Sequence, residues 1–263
     1  MKGPAGIMAL VLAETAAGGA GFLFLTPLWG EVRRGFFYLT GAIVLVLTLS
    51  AAGAAAGAYD DATAAKGRVA VTLAVVLAVA TLLWLGLVRF RLHRAGRALG
   101  IATVPLAVAM LFAFARTTDE SMSLSLFQLL AGAVFTGAVL DGLLLGHWYL
   151  TDRRLTRGPI NRMAWLLVAS VVLEAAAVIV GAIGAPDRPG RASSSLNPLL
   201  TVAGSATWIA IGMVACTGLI AVFIQLTLRG TRPTAVQSAT GFFYLAVVTA
   251  FTAELAAKVR FLP

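Results

Sequence analysis

The sequence predicts an all-α integral membrane protein, a polytopic transmembrane bundle of about eight helices that forms a single membrane domain over residues 1–263. Of the residues, 60% are hydrophobic and only 12% are charged, whereas soluble domains carry about 25% charged residues. The charges also lie in short clusters between long apolar runs. Because roughly 20 apolar helical residues span the hydrocarbon core of a bilayer, each run is a candidate transmembrane helix.

The apolar runs predict eight helices, in chain order about 4–28, 35–58, 69–88, 98–115, 124–150, 163–183, 199–228 and 236–257. Polar and helix-stopping residues separate them at 30–34, 60–66, 89–97, 116–121, 151–162, 185–198 and 229–233. The first run is too long for a signal peptide, so we interpret it as a retained helix. No gap is long enough to hold a soluble domain.

The distribution of positive charge predicts the topology. The loops after helices one, three, five and seven hold twelve Lys and Arg residues, and the opposite side holds eight. Cytoplasmic loops are enriched in these residues, so we expect both termini outside, in a multi-pass protein of the bacterial cytoplasmic membrane. Topology and anionic headgroups account for the net charge of +9, which therefore does not indicate nucleic-acid binding.

Four carboxylates fall inside apolar runs. With a rise of about 1.5 Å per residue, Glu14, Asp141 and Glu174 lie near mid-membrane. Glu254 lies near the outer end of helix eight, where Lys258 follows one turn later, and we interpret these two as a structural i,i+4 pair at the interface. Small residues share the faces of the three deep acids, which are therefore expected to face other helices rather than lipid.

The sequence indicates no Lys or Arg at the depth of Glu14, Asp141 and Glu174. Such acids are expected to be protonated, or to face water, a bound ion or a polar ligand. One interpretation is that neutral carboxyls hydrogen-bond helix to helix. The other is a proton or ion path, or a set of polar groups around a ligand.

His147 lies near the inner end of helix five, followed by Trp148 and Tyr149. The structural interpretation is an aromatic belt at the interface. The functional interpretation is a quinone site, in which the imidazole binds a quinone oxygen, the aromatic rings flank the head group and Asp141 passes the proton. Asp141 and His147 are six residues apart and leave the helix on different faces, so Glu174 or Glu14 is the expected direct neighbour of Asp141.

No enzyme motif is present: the sequence contains no P-loop, no HExxH and no GxSxG, so no catalytic residue is assigned. Two histidines do not favour a haem, because His93 lies among arginines beyond the apolar run. One cysteine and scattered acids do not make a metal site. Gly53 with Gly57 and Gly142 with Gly146 have small-xxx-small spacing, which predicts a tight bundle or a homo-oligomer contact.

Two stretches carry a resemblance to a known family: the glycine-rich second half of helix one, with Gly18, Gly19 and Gly21, and the sequence AELAAKVRF over 253–261. With the overall plan of eight helices, they resemble the haem-free membrane anchor subunits of DMSO reductase and polysulfide reductase enzymes. The resemblance implies a quinol-binding membrane subunit that passes electrons to redox protein partners. It assigns a function to no individual residue of this sequence.

Three functions are therefore expected from the sequence. The first is a membrane subunit of a respiratory or electron-transfer complex that interacts with a quinone. The second is a small proton- or cation-coupled transporter or channel that uses Glu14, Asp141 and Glu174. The third is a structural or assembly protein of the membrane.

Overall fold

The computed structural model describes residues 3–25, 28, 31–59, 64–152, 155–183, 202–230, 232 and 234–259. These form eight helices: α1 (Gly3–Leu25), α2 (Arg34–Ala56), α3 (Ala64–Arg89), α4 (His93–Ala115), α5 (Met122–Thr151), α6 (Gly158–Ile183), α7 (Val202–Leu228) and α8 (Ala235–Lys258). Each is long and apolar enough to cross a membrane. The predicted all-α transmembrane bundle is confirmed.

Helices α3, α4 and α6 each begin five residues earlier than the apolar runs suggest. Their first turns contain polar residues such as Lys66, His93 and Asn161, which are helical without being apolar. A helix that extends past the hydrocarbon core satisfies its backbone hydrogen bonds in the headgroup region just as it does in lipid. Hydropathy therefore finds the span but not the end of the helix.

Helices α1 and α5 form the centre of the bundle. In their most apolar windows 78% and 83% of the residues are buried, against 28–44% in the other six helices. The outer helices instead expose large apolar side chains such as Leu82, Val172 and Val248. This continuous apolar surface is suited to contact with lipid, because exposing it to water would be unfavourable.

The chain consists of two four-helix halves with the same order of neighbours. In the first half α1 packs against α2 and α4, and α3 completes the ring; in the second half α5 packs against α6 and α8, and α7 completes it. The halves meet where α1 crosses α5, at Gly18 and Gly137. A Cβ atom on Gly18 would lie 1.8 Å from the carbonyl oxygen of Ala133, so this crossing requires glycine.

One end of the bundle, which we call the arginine-rich end, contains the turns after α1, α3, α5 and α7. Ion pairs join these turns: Arg33 contacts Asp152 at 3.0 Å, and Arg162 contacts Glu31. Arg157 donates to the carbonyl oxygen of Arg232 at 2.6 Å. Arg34 also donates to His93, next to the turn after α3, so these contacts place the four turns on one side of the bundle, as predicted. Arg153 and Arg154, which the topology argument also uses, lie outside the described residues, as do Asp60, Asp61 and Arg260.

Candidate functional site

The deep carboxyl of α1 is paired with a lysine from α8. The Nζ atom of Lys258 lies 2.7 Å from Oε1 of Glu14 and 2.9 Å from Oε2 of Glu254. The i,i+4 pair predicted within α8 is therefore confirmed. The Lys258 side chain is only 1% exposed and is therefore buried between helices. The expectation that no cation lies at the depth of Glu14 is wrong, because the Lys258 ammonium group contacts that carboxyl.

The direction of helical side chains explains how Lys258 reaches this depth. Side chains on a helix lean toward its N-terminus. Because successive helices alternate in direction across the bundle, Glu14 leans toward one end and Lys258 leans back from that end. The flexible four-carbon stem of the lysine then carries the ammonium group inward to the carboxyl.

Glu174 on α6 completes the group. Its carboxyl, 2% exposed, interacts electrostatically with Glu254, Lys258 and Glu14. Gly132 on α5 makes room for the group, since a Cβ atom there would lie 2.8 Å from Oε1 of Glu14 and 2.9 Å from Oε2 of Glu254. We call Glu14, Glu174, Glu254 and Lys258 the acid–lysine cluster.

Two carboxyls of this cluster contact one ammonium group, and the third, of Glu174, interacts with them electrostatically. Most buried threonines of the bundle differ, because they bond a carbonyl of their own helix: Thr15 donates to Val11 at 2.7 Å, and Thr136 donates to Gly132 at 2.7 Å. Such hydroxyls need no partner from another helix. Of the three carboxyls, only that of Glu254 has a cation on its own helix. The charge of Glu14 and Glu174 has to be balanced by a group on another helix or by a bound cation.

A row of buried polar residues on α5 leads toward the cluster from the end of the bundle opposite the arginines. Ser125 is hydrogen-bonded to Thr118 at 2.7 Å. Gln128 follows one turn later, is 2% exposed, and has no hydrogen-bond partner for either amide atom among the described residues. Gly132 lies one further turn along the same face. An unpartnered buried amide is costly, so Gln128 can bind a passing polar group such as water.

Asp141 lies apart from the cluster. It is fully buried, and neither of its oxygens has a hydrogen-bond partner within the described part of the chain. It faces the α1–α2 side, where a Cβ atom on Gly19 would lie 3.8 Å from its Oδ2. Nine residues of α5, about 13 Å, separate it from Gly132. The expectation that Glu14 or Glu174 is its direct neighbour is therefore wrong.

The three consecutive residues at the end of α5 point to different neighbours. His147 is exposed, and its Nδ1 lies 3.4 Å from the Tyr244 hydroxyl on α8. Trp148 packs over Gly35 at the start of α2. Tyr149 is buried and donates to the carbonyl oxygen of Thr156. Consecutive helical residues are separated by about 100°, so these three do not line one site.

The other histidine lies in a different place. Arg34 at the start of α2 donates to Nε2 of His93, which begins α4. His147 instead contacts α8. The two imidazoles therefore face different helices.

Sequence reasoning missed Lys258, Gly132 and Gln128 as parts of the site. The i,i+4 spacing of Glu254 and Lys258 was a usable signal, because both side chains lean inward along α8. The contact of Lys258 with Glu14 depends on how α1 and α8 are arranged, and no local pattern carries that information.

Comparisons of the chain with protein families, with curated proteins and with solved structures found no significant match.

Proposed function

We propose that this protein translocates protons across the membrane, with the acid–lysine cluster as its intramembrane proton-binding site. The proposal rests on one observation: the carboxyls of Glu14 and Glu254 contact the ammonium group of Lys258, and the buried carboxyl of Glu174 interacts electrostatically with all three groups. If all four groups were ionised, the cluster would carry two uncompensated negative charges. Unbalanced charge in a low-dielectric interior costs several kcal/mol, so the cluster favours the uptake of positive charge.

The chemistry of the donors favours protons over metal ions. Among the described residues, no group of three His, Cys, Asp or Glu side chains is arranged to hold a metal ion. Lys258 occupies the position between Glu14 and Glu254 that a bound cation would take. A proton needs only a carboxyl oxygen, whereas metal cations such as Ca²⁺ need about six or more oxygen ligands.

The position of the cluster also supports the proposal. Transporters commonly bind their substrate or coupling ion near the bilayer midplane, where two structural repeats meet. Glu14 and Gly132 belong to α1 and α5, the two central helices at which the halves of this chain meet. The buried row of Ser125 and Gln128 offers a polar approach from one end of the bundle.

A packed layer separates the cluster from Asp141. It contains the Gly18–Gly137 crossing, where the backbones of α1 and α5 are in direct contact. A translocating protein must avoid a continuous open path, and two acid sites on either side of a closed layer meet that requirement. Movement of α1 against α5 would connect them, with Asp141 receiving the proton on the arginine-rich side.

Proton flux into liposomes tests the proposal. Full-length protein is reconstituted with an internal pH-sensitive dye, and a potassium diffusion potential drives proton entry. We expect faster acidification than in protein-free liposomes, and at least tenfold slower acidification with Glu14→Gln or Asp141→Asn. Asp119→Asn, in the exposed turn before α5, should leave the rate unchanged. Wild-type flux equal to that of protein-free liposomes would overturn the proposal.

A second candidate function is quinone binding by a membrane subunit of a respiratory complex, as the resemblance to haem-free anchor subunits implies. It is favoured by the His147–Tyr244 pair, which presents an imidazole and a phenol together at the arginine-rich end. Both groups can hydrogen-bond a quinone oxygen. Asp141 is not their proton partner, since it lies on a different face of α5, toward Gly19 of α1.

Labelling with a photoreactive quinone tests this second candidate function. Labelling of membranes that contain the wild-type chain should attach the probe near His147 or Tyr244, and His147→Ala should reduce labelling at least fivefold. Trp208→Ala, which removes an exposed aromatic residue on α7, serves as the control. Labelling that is equal in His147→Ala and the wild type would exclude a quinone at this pair.

A further inference from the structure

A cavity of about 400 Å³ lies at the arginine-rich end, between the start of α2 and the start of α4. Its polar wall is made by Arg33, Arg34 and His93, and its apolar wall by Val32, Phe37, Val88 and Leu92, with Gly96 at one side. Its size falls in the range of about 300–1,000 Å³ that is usual for small-molecule sites. The cavity takes no part in the acid–lysine cluster.

The charge of this cavity is positive and incompletely balanced. Arg33 is paired with Asp152 at 3.0 Å. Arg34 has no carboxylate partner among the described residues and instead donates to His93. A guanidinium group that rests on an imidazole rather than on a carboxylate keeps its charge available for an incoming anion.

Two helices also begin at this cavity without a side-chain cap. The residues before the first turns of α2 and α4 are Arg33 and Leu92, and neither makes a side-chain capping hydrogen bond. The N-terminus of a helix carries a partial positive charge and directs N–H groups outward, so it favours phosphate and other anions. The N-termini of α2 and α4 and the Arg34 guanidinium group therefore all contribute positive charge to this cavity.

We propose that this cavity binds the phosphate headgroup of an anionic phospholipid from the leaflet at the arginine-rich end. Arg34, the uncapped helix starts and His93 would hold the phosphate, while Phe37, Val88 and Leu92 would contact the glycerol and the first part of an acyl chain. Leu92 is 52% exposed and its neighbour Phe90 is 76% exposed, so the apolar wall continues into the lipid-facing surface. Basic pockets between transmembrane helices bind anionic headgroups in this way.

Lipid retention by the full-length protein tests this site. Purified protein in detergent is mixed with phosphatidylglycerol or phosphatidylcholine, and bound lipid is measured by native mass spectrometry. We expect phosphatidylglycerol to be retained preferentially and Arg34→Gln to weaken its binding about tenfold, since a hydrogen bond between charged groups is lost. Arg229→Gln removes the same charge from an exposed position at the same end and should change binding less than twofold.

A second variant separates a defined site from general attraction to a basic surface. Gly96→Leu keeps every charge but fills the cavity, and a Cβ atom at Gly96 would meet its nearest neighbour at an ordinary 3.8 Å. It should reduce retention of phosphatidylglycerol as strongly as Arg34→Gln does. Equal retention of both lipids, or a Gly96→Leu variant that binds like the wild type, would overturn the proposal. Displacement of the lipid by inorganic phosphate would assign the cavity to free phosphate instead.

Discussion

The ammonium group of Lys258 on α8 lies 2.7 Å from the carboxyl of Glu14 on α1, with both side chains at most 1% exposed. The pair joins the first half of the chain to the second across the centre of the bundle. Gly132 of α5 faces Glu14 and Glu254, so three helices meet around this one ion pair. The pair therefore contributes both to the packing of the halves and to the proposed proton site.

Replacing Lys258 by Met should destabilise the protein strongly. The substitution keeps most of the side-chain volume but leaves the buried carboxyls without their cation, and breaking a buried pair costs about 3–5 kcal/mol. The measurement is reversible unfolding in mixed micelles. Lys66→Met, which removes an exposed lysine near the start of α3, should change the free energy of unfolding by less than about 0.5 kcal/mol.

A double-mutant cycle then isolates the interaction between the two residues. Because Glu14→Gln removes the partner charge, adding it to Lys258→Met should recover part of the lost stability. Losses that simply add in the double variant would show that Glu14 and Lys258 are not energetically coupled.

Gly132→Ala should slow proton flux while the bundle stays folded. The new methyl group would lie 2.8 Å from Oε1 of Glu14 and 2.9 Å from Oε2 of Glu254, both at the ends of flexible side chains. These carboxyls can rotate away at little cost, but then they leave Lys258. Gly53→Ala on α2, where a Cβ atom meets nothing within 4 Å, is the matched control for flux and for helix content. Wild-type flux in the Gly132→Ala protein would show that the acid–lysine cluster does not take part in proton translocation.

Gly18→Ala should disrupt the contact between the two halves. A Cβ atom there would lie 1.8 Å from the carbonyl oxygen of Ala133 and 2.9 Å from the Cα atom of Gly137, and backbone atoms cannot rotate away. Overpacking of this kind costs about 1–3 kcal/mol or more. Thermal unfolding in detergent measures the loss. Gly21→Ala lies on the same helix with no atom within 4 Å, so a comparable loss there would contradict the assignment.

Tyr59, in the turn after α2, should titrate at unusually high pH. Burial raises the pKa of its phenol to about 12, although the nearby Thr117 hydroxyl partly opposes this shift. Because the pKa in the folded state is higher than that in the unfolded state, the stability from this group is fully present below about pH 10. It is lost as the pH rises through about 12.

Ultraviolet absorbance of the phenolate measures this titration. The difference between the titrations of the wild type and Tyr59→Phe isolates Tyr59 from the other tyrosines, and its midpoint should lie near 12. A midpoint near 10 would show that Tyr59 is exposed to water.

The number and type of helices could be predicted because hydrophobic length is a local property of the chain. The burial of Glu14, Asp141 and Glu174 could also be predicted, since small residues accompany each of them at helical spacing. The partnership of Glu14 with Lys258 could not, because it depends on which helices are neighbours. The same reason separates Asp141 from Glu174, although their positions along the apolar runs predict a similar depth.

The quinone hypothesis illustrates a second limit. His147, Trp148 and Tyr149 look like one site in the sequence, but adjacency along a helix means separation around it. Tyr244, which contacts His147, lies on another helix altogether. Candidate residues on one helix therefore have to be grouped by the helix face on which they lie. Which residues of other helices contact each face is known only from the folded bundle.

The ion pair between α1 and α8 also has a consequence for how the protein is made. The ribosome delivers α1 to the membrane before α8, so Glu14 enters the bilayer when its cation has not yet been synthesised. A chain arrested before α8 retains an intramembrane carboxyl with no lysine beside it, which is a costly arrangement. The Glu14–Lys258 contact can therefore form only after α8 has entered the membrane, and it distinguishes chains that contain α8 in place from nascent chains that lack it.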